Sequence, residues 1–560
     1  MKVPTNILMV IFFASNCLGI LFLALHSQKF TTNGRNLQQQ TPLPEPISYR
    51  FLSPTKAFHI LSQLDQYQSP RNNTFLDSLS YISEYRPFHY GLTSDKLYCH
   101  KHRLYFVNDP EYIFEKPRIF SDFDKDSVIR NRVIPSIGQD LKKNIGPHMK
   151  FEDSLGEHYE INMDASAFFC GNLYTARKIG KEFSCLTQMS NHIPGHTLLT
   201  RKDYQAEALF EYINEFQDMP SCFDSNKYFP RAWTLDDQRQ CEEFFSVLKE
   251  SSVNQQRNDE VVYIKRAGTR TNRLDGVRLL DGEFEEKLIK MYEGGELCGK
   301  VQNNYVIEKF ISNPLLVNNK RFSLKAYMLI ASSNPLIVYY YNDGLIKISE
   351  KKYQKNKIYE IETSKDSNVW SMEDLERYLI EAKKINGDKN WVENYLRPEM
   401  KKALIHLMRI TQFSLQKISS LYELFEMEFM IDEELNVWFI QANGFPDLKA
   451  ESKKEGKLLE NMLKDHYEVM NGLLRSRVKR IIQYVNLIIK KKQFKPYGDK
   501  ILVENVHEKR REFAEITKNW FEVEFEPSVG NRFVKIIDEN FSDLEMYNHN
   551  LPPACFEIVS

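Results

Sequence analysis

A series of short apolar, β-branched and aromatic runs between residues 260 and 450 constrains this chain more than any other feature. Val261-Val262-Tyr263-Ile264-Lys265, Tyr305 to Ile311, Phe322 to Ser332 and Leu336 to Ser349 each read as buried strands. Phe425 to Asp432 and Val437 to Asn443 follow, close enough in sequence to form a hairpin. Asn342-Asp343-Gly344 is a turn signal and is expected to break the fourth run. Between the runs lie helical patterns near 236–250 and 397–420, and Ser371 with Asp374 has the spacing of a capping box. The expectation is an α+β core built on a mostly antiparallel sheet.

At 560 residues the chain is long enough for three or four domains, at about 100–200 residues each. Residues 26–50, with Gln38-Gln39-Gln40 and then Pro42, Pro44 and Pro46, read as a linker. We expect a mixed α/β domain over 51–255, the strand-rich core over 256–450, and a helical basic extension over 451–560. Lys+Arg 75 against Asp+Glu 76 leaves a net charge of -1, which argues against nucleic acid as a partner for the chain as a whole. Eight cysteines without a CxxC pair argue against a zinc ribbon and a disulfide scaffold.

Ile7 to Leu25 carries no charge, and at 1.5 Å per residue it would span about 28 Å, enough to cross a bilayer. The segment 1–25 therefore reads as a signal anchor or a signal peptide. The expectation is a membrane-anchored chain with one N-terminal pass. Its body would be cytosolic or ciliary, or lumenal if the sequons at Asn72 or Asn540 are glycosylated. Between Arg475 and Lys495 stand eight Lys/Arg and no acid, with Val478, Ile481, Ile482, Val485, Ile488 and Ile489 at helical spacing. Such a helix either packs by one face with its lysines in water, or offers a dock to an acidic peptide or an anionic lipid surface.

Activating a nucleotide requires a cation for its phosphates and oxygen ligands for Mg²⁺. Residues i and i+2 of a strand share a face, so Gln441 and Asn443 point the same way, and Glu428 on the paired strand can join them. Lys265, ending an apolar strand, is a candidate phosphate ligand. The bland alternatives are a solvated strand end and a polar hairpin surface. His192 and His196, beside Pro194-Gly195, read as turn residues.

The wording around these residues resembles the tubulin-tyrosine ligase family. Val306-Ile307-Glu308-Lys309-Phe310-Ile311, Asn313-Pro314-Leu315-Leu316 and Arg321 to Leu329 carry the likeness, with Asn334-Pro335-Leu336 and Asp343-Gly344-Leu345. Gln441-Ala442-Asn443-Gly444-Phe445-Pro446-Asp447-Leu448 is similar to the family's closing motif, and Phe229-Pro230-Arg231-Ala232-Trp233 to an upstream one. The resemblance implies an ATP-grasp-like core and ATP-dependent ligation of an amino acid, glutamate being one candidate, to a protein carboxylate through an acyl phosphate. Tubulin would be the acceptor. Lys265 would hold ATP, assisted by Arg270 and Arg273. Glu308, Lys309 and Phe310 would form the hinge beside adenine, and Lys325 would serve catalysis. Glu428, Gln441 and Asn443 would occupy the Mg²⁺ positions.

The departures from the family pattern lie in the same site. Gln441 stands where the family has Glu and removes a negative charge from a dication site. Phe322-Ser323-Leu324-Lys325 stands for Phe-Asp-Leu-Arg and exchanges a bidentate guanidinium for a point charge. The loop Gly268 to Val277 has two glycines, and Glu360-Ile361-Glu362-Thr363 replaces His-Leu-Thr-Asn. The alternative reading is a catalytically degenerate, membrane-tethered binding module.

Overall fold

The computed structural model describes residues between 118 and 538, leaving aside chiefly 171–188, 254–261, 267–276, 355–367 and 504–524. Residues 1–117 and 539–560 lie outside the described residues, as do Arg270, Arg273 and the segment 360–363.

The strands in chain order are β1 (Arg118–Ser121), β2 (Gln139–Asp140), β3 (His148–Glu152), β4 (His158–Asn162), β5 (Ala167–Phe169) and β6 (Met189–Asn191). Then come β7 (Ala232–Thr234), β8 (Val262–Arg266), β9 (Val277–Leu279), β10 (Tyr305–Lys309), β11 (Phe322–Ser333) and β12 (Leu336–Ile348). The last are β13 (Val369–Ser371), β14 (Leu421–Ile431), β15 (Val437–Asn443), β16 (Phe494–Tyr497), β17 (Lys500–Val503) and β18 (Phe533–Asp538). The longer helices are α1 (Lys202–Phe216), α2 (Gln238–Val253), α3 (Gly282–Glu293), α4 (Met372–Glu381), α5 (Arg397–Thr411) and α6 (Lys453–Lys490).

Ten strands form one sheet in the order β13-β12-β11-β14-β6-β5-β1-β2, with β15 on β14 and β18 on β12. Its β11, β12, β14 and β15 pair antiparallel, whereas β6, β5, β1 and β2 continue from β14 in parallel. A second sheet of four strands runs β7-β10-β8-β9. The expected α+β core with a mostly antiparallel sheet is present.

Both faces of the large sheet are buried, which is why its strands read as near-continuous apolar runs. Along β11, Leu324, Ala326, Met328 and Ile330 face one cluster with α5, while Tyr327, Leu329 and Ala331 face the other with α6. Helix α4 begins with the expected capping box. Ser371 Oγ accepts from Asp374 N at 3.1 Å, and Asp374 Oδ2 accepts from Ser371 N at 3.0 Å. Helix α5 ends at Thr411 rather than near 420, followed by a single 3₁₀ turn, Gln412–Ser414.

Several expectations are corrected. Asn342-Asp343-Gly344 does not break the fourth run: β12 continues through it, and the chain reverses instead between Ser333 and Leu336. A register shift between the pairs Ala326–Gly344 and Met328–Tyr340 absorbs the extra residues. Asp343 Oδ1 turns back to accept from Gly344 N at 2.8 Å. A Cβ at Gly344 would lie 2.4 Å from Lys325 O and 2.5 Å from Met372 Cε, so glycine serves close approach here and not a turn.

Cysteine pairing was also missed. Cys241 of α2 is disulfide-bonded to Cys298, 57 residues away, with their Cα atoms 5.5 Å apart. Cys222 is disulfide-bonded as well. Spacing gave no hint because the four-stranded sheet, not local sequence, brings α2 against the approach to β10.

The basic stretch 475–490 is the second half of α6, whose first half buries Leu459, Met462, Leu463, Tyr467, Met470 and Leu474. Within that packed half, a Cβ on Gly472 would meet the Phe525 ring at 2.1 Å. The helix stops at Lys490, and Lys495 lies in β16.

The membrane anchor expected over 7–25 is corrected too. No helix among the described residues is long and apolar enough to cross a membrane, and residues 7–25 lie outside them. Helix α6 has the length at 38 residues, but lysine and glutamate recur along it. The sequons at Asn72 and Asn540, on which the lumenal alternative rested, also lie outside the described residues.

Candidate active site

The pairing of β11, β14 and β15 sets two ranks of side chains on one face of the large sheet. Lys325 lies opposite Glu428, which lies opposite Gln441. One step along, Tyr327 lies opposite Glu426, which lies opposite Asn443. Since the period of a strand is two, all six residues face the same side. Four of the residues expected from sequence, Lys325, Glu428, Gln441 and Asn443, are therefore brought together.

Their contacts are specific. Gln441 Nε2 donates to Glu428 Oε2 at 2.8 Å. Lys325 Nζ donates to Glu426 Oε1 at 2.8 Å. Asn443 Oδ1 accepts from Phe445 N at 2.9 Å, which turns the chain away at the end of β15. Burial opposes the charge of Lys325, but Glu426, then Glu428 and Glu455, outweigh it and hold the ammonium above its usual range. Beside this rank Ser323 pairs with Lys347, whose Nζ reaches Glu455 Oε1 at 2.8 Å and Glu451 Oε2 at 3.2 Å. Both acids come from the start of α6 and the residues just before it.

Glu426 was passed over in the sequence. Its signal is the alternation Glu426-Met427-Glu428 inside an apolar strand, which puts two acids on one face. It is only 6% exposed.

The hinge residues have other occupations. Glu308, 1% exposed on β10, takes Lys202 Nζ of α1 at 2.9 Å. Lys309 N donates to Arg231 O at 2.8 Å. Phe310 is buried with the Arg321 guanidinium 5.7 Å from its ring centroid, and Arg321 also reaches Met430 Sδ at 3.9 Å. Phe310, just after β10, is thus tied through Arg321 to Met430 of β14. Lys265 lies on β8, opposite Val306 of β10 and Val277 of β9, so it belongs to the small sheet and the carboxylates to the large one.

On the opposite face of β14 stands a cluster that sequence reading missed. His192 Nδ1 lies 2.8 Å from Glu423 Oε1, and His196 Nδ1 lies 3.6 Å from Glu423 Oε2. These three buried residues could hold a metal ion, their ligand atoms lying within 4.8 Å of one another. The protein's own hydrogen bonds already engage them. Glu423 Oε2 accepts from Ile193 N at 2.8 Å, and His196 Nδ1 donates to Ile193 O at 2.8 Å. His196 sits in the turn formed by Pro194, Gly195 and His196, whereas His192 lies just before it with φ 73°, its ring 4.5 Å from Phe445. The cluster clamps the place where β15 ends and β6 takes over as the neighbour of β14.

The family model described as the tubulin-tyrosine ligase family matches residues 181–364 and 354–477, together more than half of the chain. The chain is 25% identical over 331 residues to the protein polyglycylase TTLL10 of Rattus norvegicus, covering 53% of this chain and 46% of that protein. It is 24% identical over 314 residues to the probable alpha-tubulin polyglutamylase Ttll1 of Tetrahymena thermophila, covering 50% of this chain and 72% of that one. It is also 25% identical over 249 residues to the inactive polyglycylase TTLL10 of Homo sapiens, covering 40% of this chain and 35% of that one. The chain thus spans less than half the length of two of these three relatives.

Proposed function

Because the chain belongs to the tubulin-tyrosine ligase family, we propose that it is an ATP-dependent amino-acid ligase acting on a carboxylate of a protein acceptor, tubulin being the first candidate. The observation that carries this reading is the pair of ranks Lys325–Glu428–Gln441 and Tyr327–Glu426–Asn443 on a single sheet face. The donor set there is carboxylate and amide oxygen, the hard ligands magnesium takes. Glu428 and Asn443 would hold the ion, which when bound neutralises phosphate charge. Lys265, on the small sheet, would hold the ATP phosphates, and Glu308, Lys309 and Phe310 would flank adenine. Lys325 offers a fixed positive charge for an anionic group of the reactants. The relatives named as polyglycylase and polyglutamylase support amino-acid ligation as the chemistry, with glycine and glutamate as the amino acids to try first. The basic half of α6, 475–490, is the candidate dock for an acidic tail.

A second reading is a nucleotide- or peptide-binding protein without turnover. Gln441 favours it, because its amide N–H, not a carboxylate, faces Glu428.

The test is to incubate the full chain with ATP, magnesium, tubulin and labelled glutamate or glycine, and to count label transferred. ATP-dependent transfer that is lost in both Lys265→Ala and Asn443→Ala supports the ligase. Binding of ATP seen as a thermal shift, with no transfer to any acceptor, supports the second reading. Saturating ligand at 100 times its dissociation constant adds about 2.7 kcal/mol of stability, a shift that is readily measured.

A further inference from the structure

We propose that Glu426 is the second carboxylate of the metal site and that Lys325 occupies the site as a built-in cation until the metal displaces it. The inference rests on the reading above that this sheet face binds nucleotide with a divalent ion.

Charge states the problem. With Gln441 neutral and Asn443 neutral, the three expected positions present one negative charge, on Glu428, to a dication. A divalent site built from oxygen ligands is tuned by the number of charged ligands it contains. Glu426 is the acid that makes up the deficit from inside the same strand. It is two residues before Glu428, on the same face, directly across from Asn443. Directly opposed residues in an antiparallel pair hold their Cβ atoms about 4.5–5.5 Å apart and diagonal ones about 7–8 Å. Glutamate side chains from adjacent ranks can therefore converge on one ion with Asn443.

The contacts assign the remaining roles. Gln441 spends its N–H on Glu428 Oε2 at 2.8 Å. A group that donates to a ligand orients that ligand, as outer partners of metal sites do, and does not replace it. Lys325 Nζ, 2.8 Å from Glu426 Oε1 and in the rank of Glu428, places one positive charge between the two acids. The neighbouring ammonium, Lys347, is taken by Glu455 and Glu451 and does not compete for this place. On this view the metal must move Lys325 off Glu426, and the released ammonium becomes available to an anionic reactant.

The alternative is that Glu426 serves only as the counterion of Lys325. Binding of Mn²⁺ to the full chain, with adenylyl imidodiphosphate present, separates the two by its electron paramagnetic resonance signal. Lys325→Met should bind Mn²⁺ about tenfold more tightly, because a positive charge beside the ion is removed, a gain that misfolding cannot produce. The double variant E426Q/K325M should bind at least about tenfold more weakly than Lys325→Met. A double variant that binds as tightly as Lys325→Met would make Glu426 a counterion only, and an unchanged or weaker Lys325→Met would overturn the role given to Lys325. Wild-type protein that binds the nucleotide analogue but no Mn²⁺ overturns the metal inference alone. Wild-type protein that binds neither removes the nucleotide reading beneath it.

Discussion

Lys202, the first residue of α1, reaches Glu308 on β10 at 2.9 Å and so ties the ten-stranded sheet's helical layer to the four-stranded sheet through one ion pair. Glu308 is 1% exposed, and removing the Lys202 ammonium takes a positive charge from beside a buried carboxylate. Lys202→Met is expected to destabilise the protein by about 3 kcal/mol in urea unfolding. Lys202→Met with Glu308→Leu should cost clearly less, because no charge is then stranded. Equal losses in the single and double variants would show that the pair is not the main connection.

Gly344→Ala should be disproportionately harmful for a one-methyl change. The added Cβ meets backbone, Lys325 O, at 2.4 Å, so β11 and β12 must separate where Lys325 is anchored. A loss of about 2–3 kcal/mol is expected, the upper range for overpacking. The same substitution should weaken any ligand that depends on Lys325. A thermal melt within a degree of wild type would refute the close approach.

The Cys241–Cys298 bond closes a 57-residue span around the small sheet. Replacing both cysteines with alanine should lower stability by about 2–4 kcal/mol, chiefly by freeing the unfolded chain. Peptide mapping without reductant should recover the two cysteines in one linked fragment. Two separate, alkylatable peptides from native protein would contradict the pairing.

Acid should weaken the fold through His466. Burial among Phe169, Tyr422 and Tyr467 pushes its pKa down from 6.5 to about 3, and neither ring nitrogen has a hydrogen-bond partner among the described residues. The unfolded chain takes up the proton first, so the contribution is complete above about pH 6.5 and is lost as pH falls from there toward 3. The slope from one such group approaches about 1.4 kcal/mol per pH unit. His406, also buried and held near 3, adds to it. His466→Phe keeps the shape and removes the titration. It should therefore raise the melting temperature at pH 5 by more than at pH 7.5. A pH-independent difference would remove His466 from the acid response.

Much of the fold was legible because strand and helix periods are local properties. The runs at Tyr305, Phe322, Leu336, Phe425 and Val437 each emerged as a strand, and Ser371 with Asp374 as a helix cap. So did membership of the family, since its wording is linear. Gln441 and Asn443 could be named in advance because i and i+2 on β15 share a face, Glu428 because it stands on the paired strand, and Lys325 only through the family resemblance of its motif. Other features were illegible for one reason: each depends on which distant segments become neighbours. Glu426 gains meaning from Lys325, 101 residues away. Glu423 gains it from His192, 231 residues away, and Cys241 from Cys298. Asn342-Asp343-Gly344 looks like a turn in isolation, and only the backbone of β11 beside it makes it a strand. Local sequence determined the elements and their faces; cross-strand register, which no local period encodes, decided which charges meet.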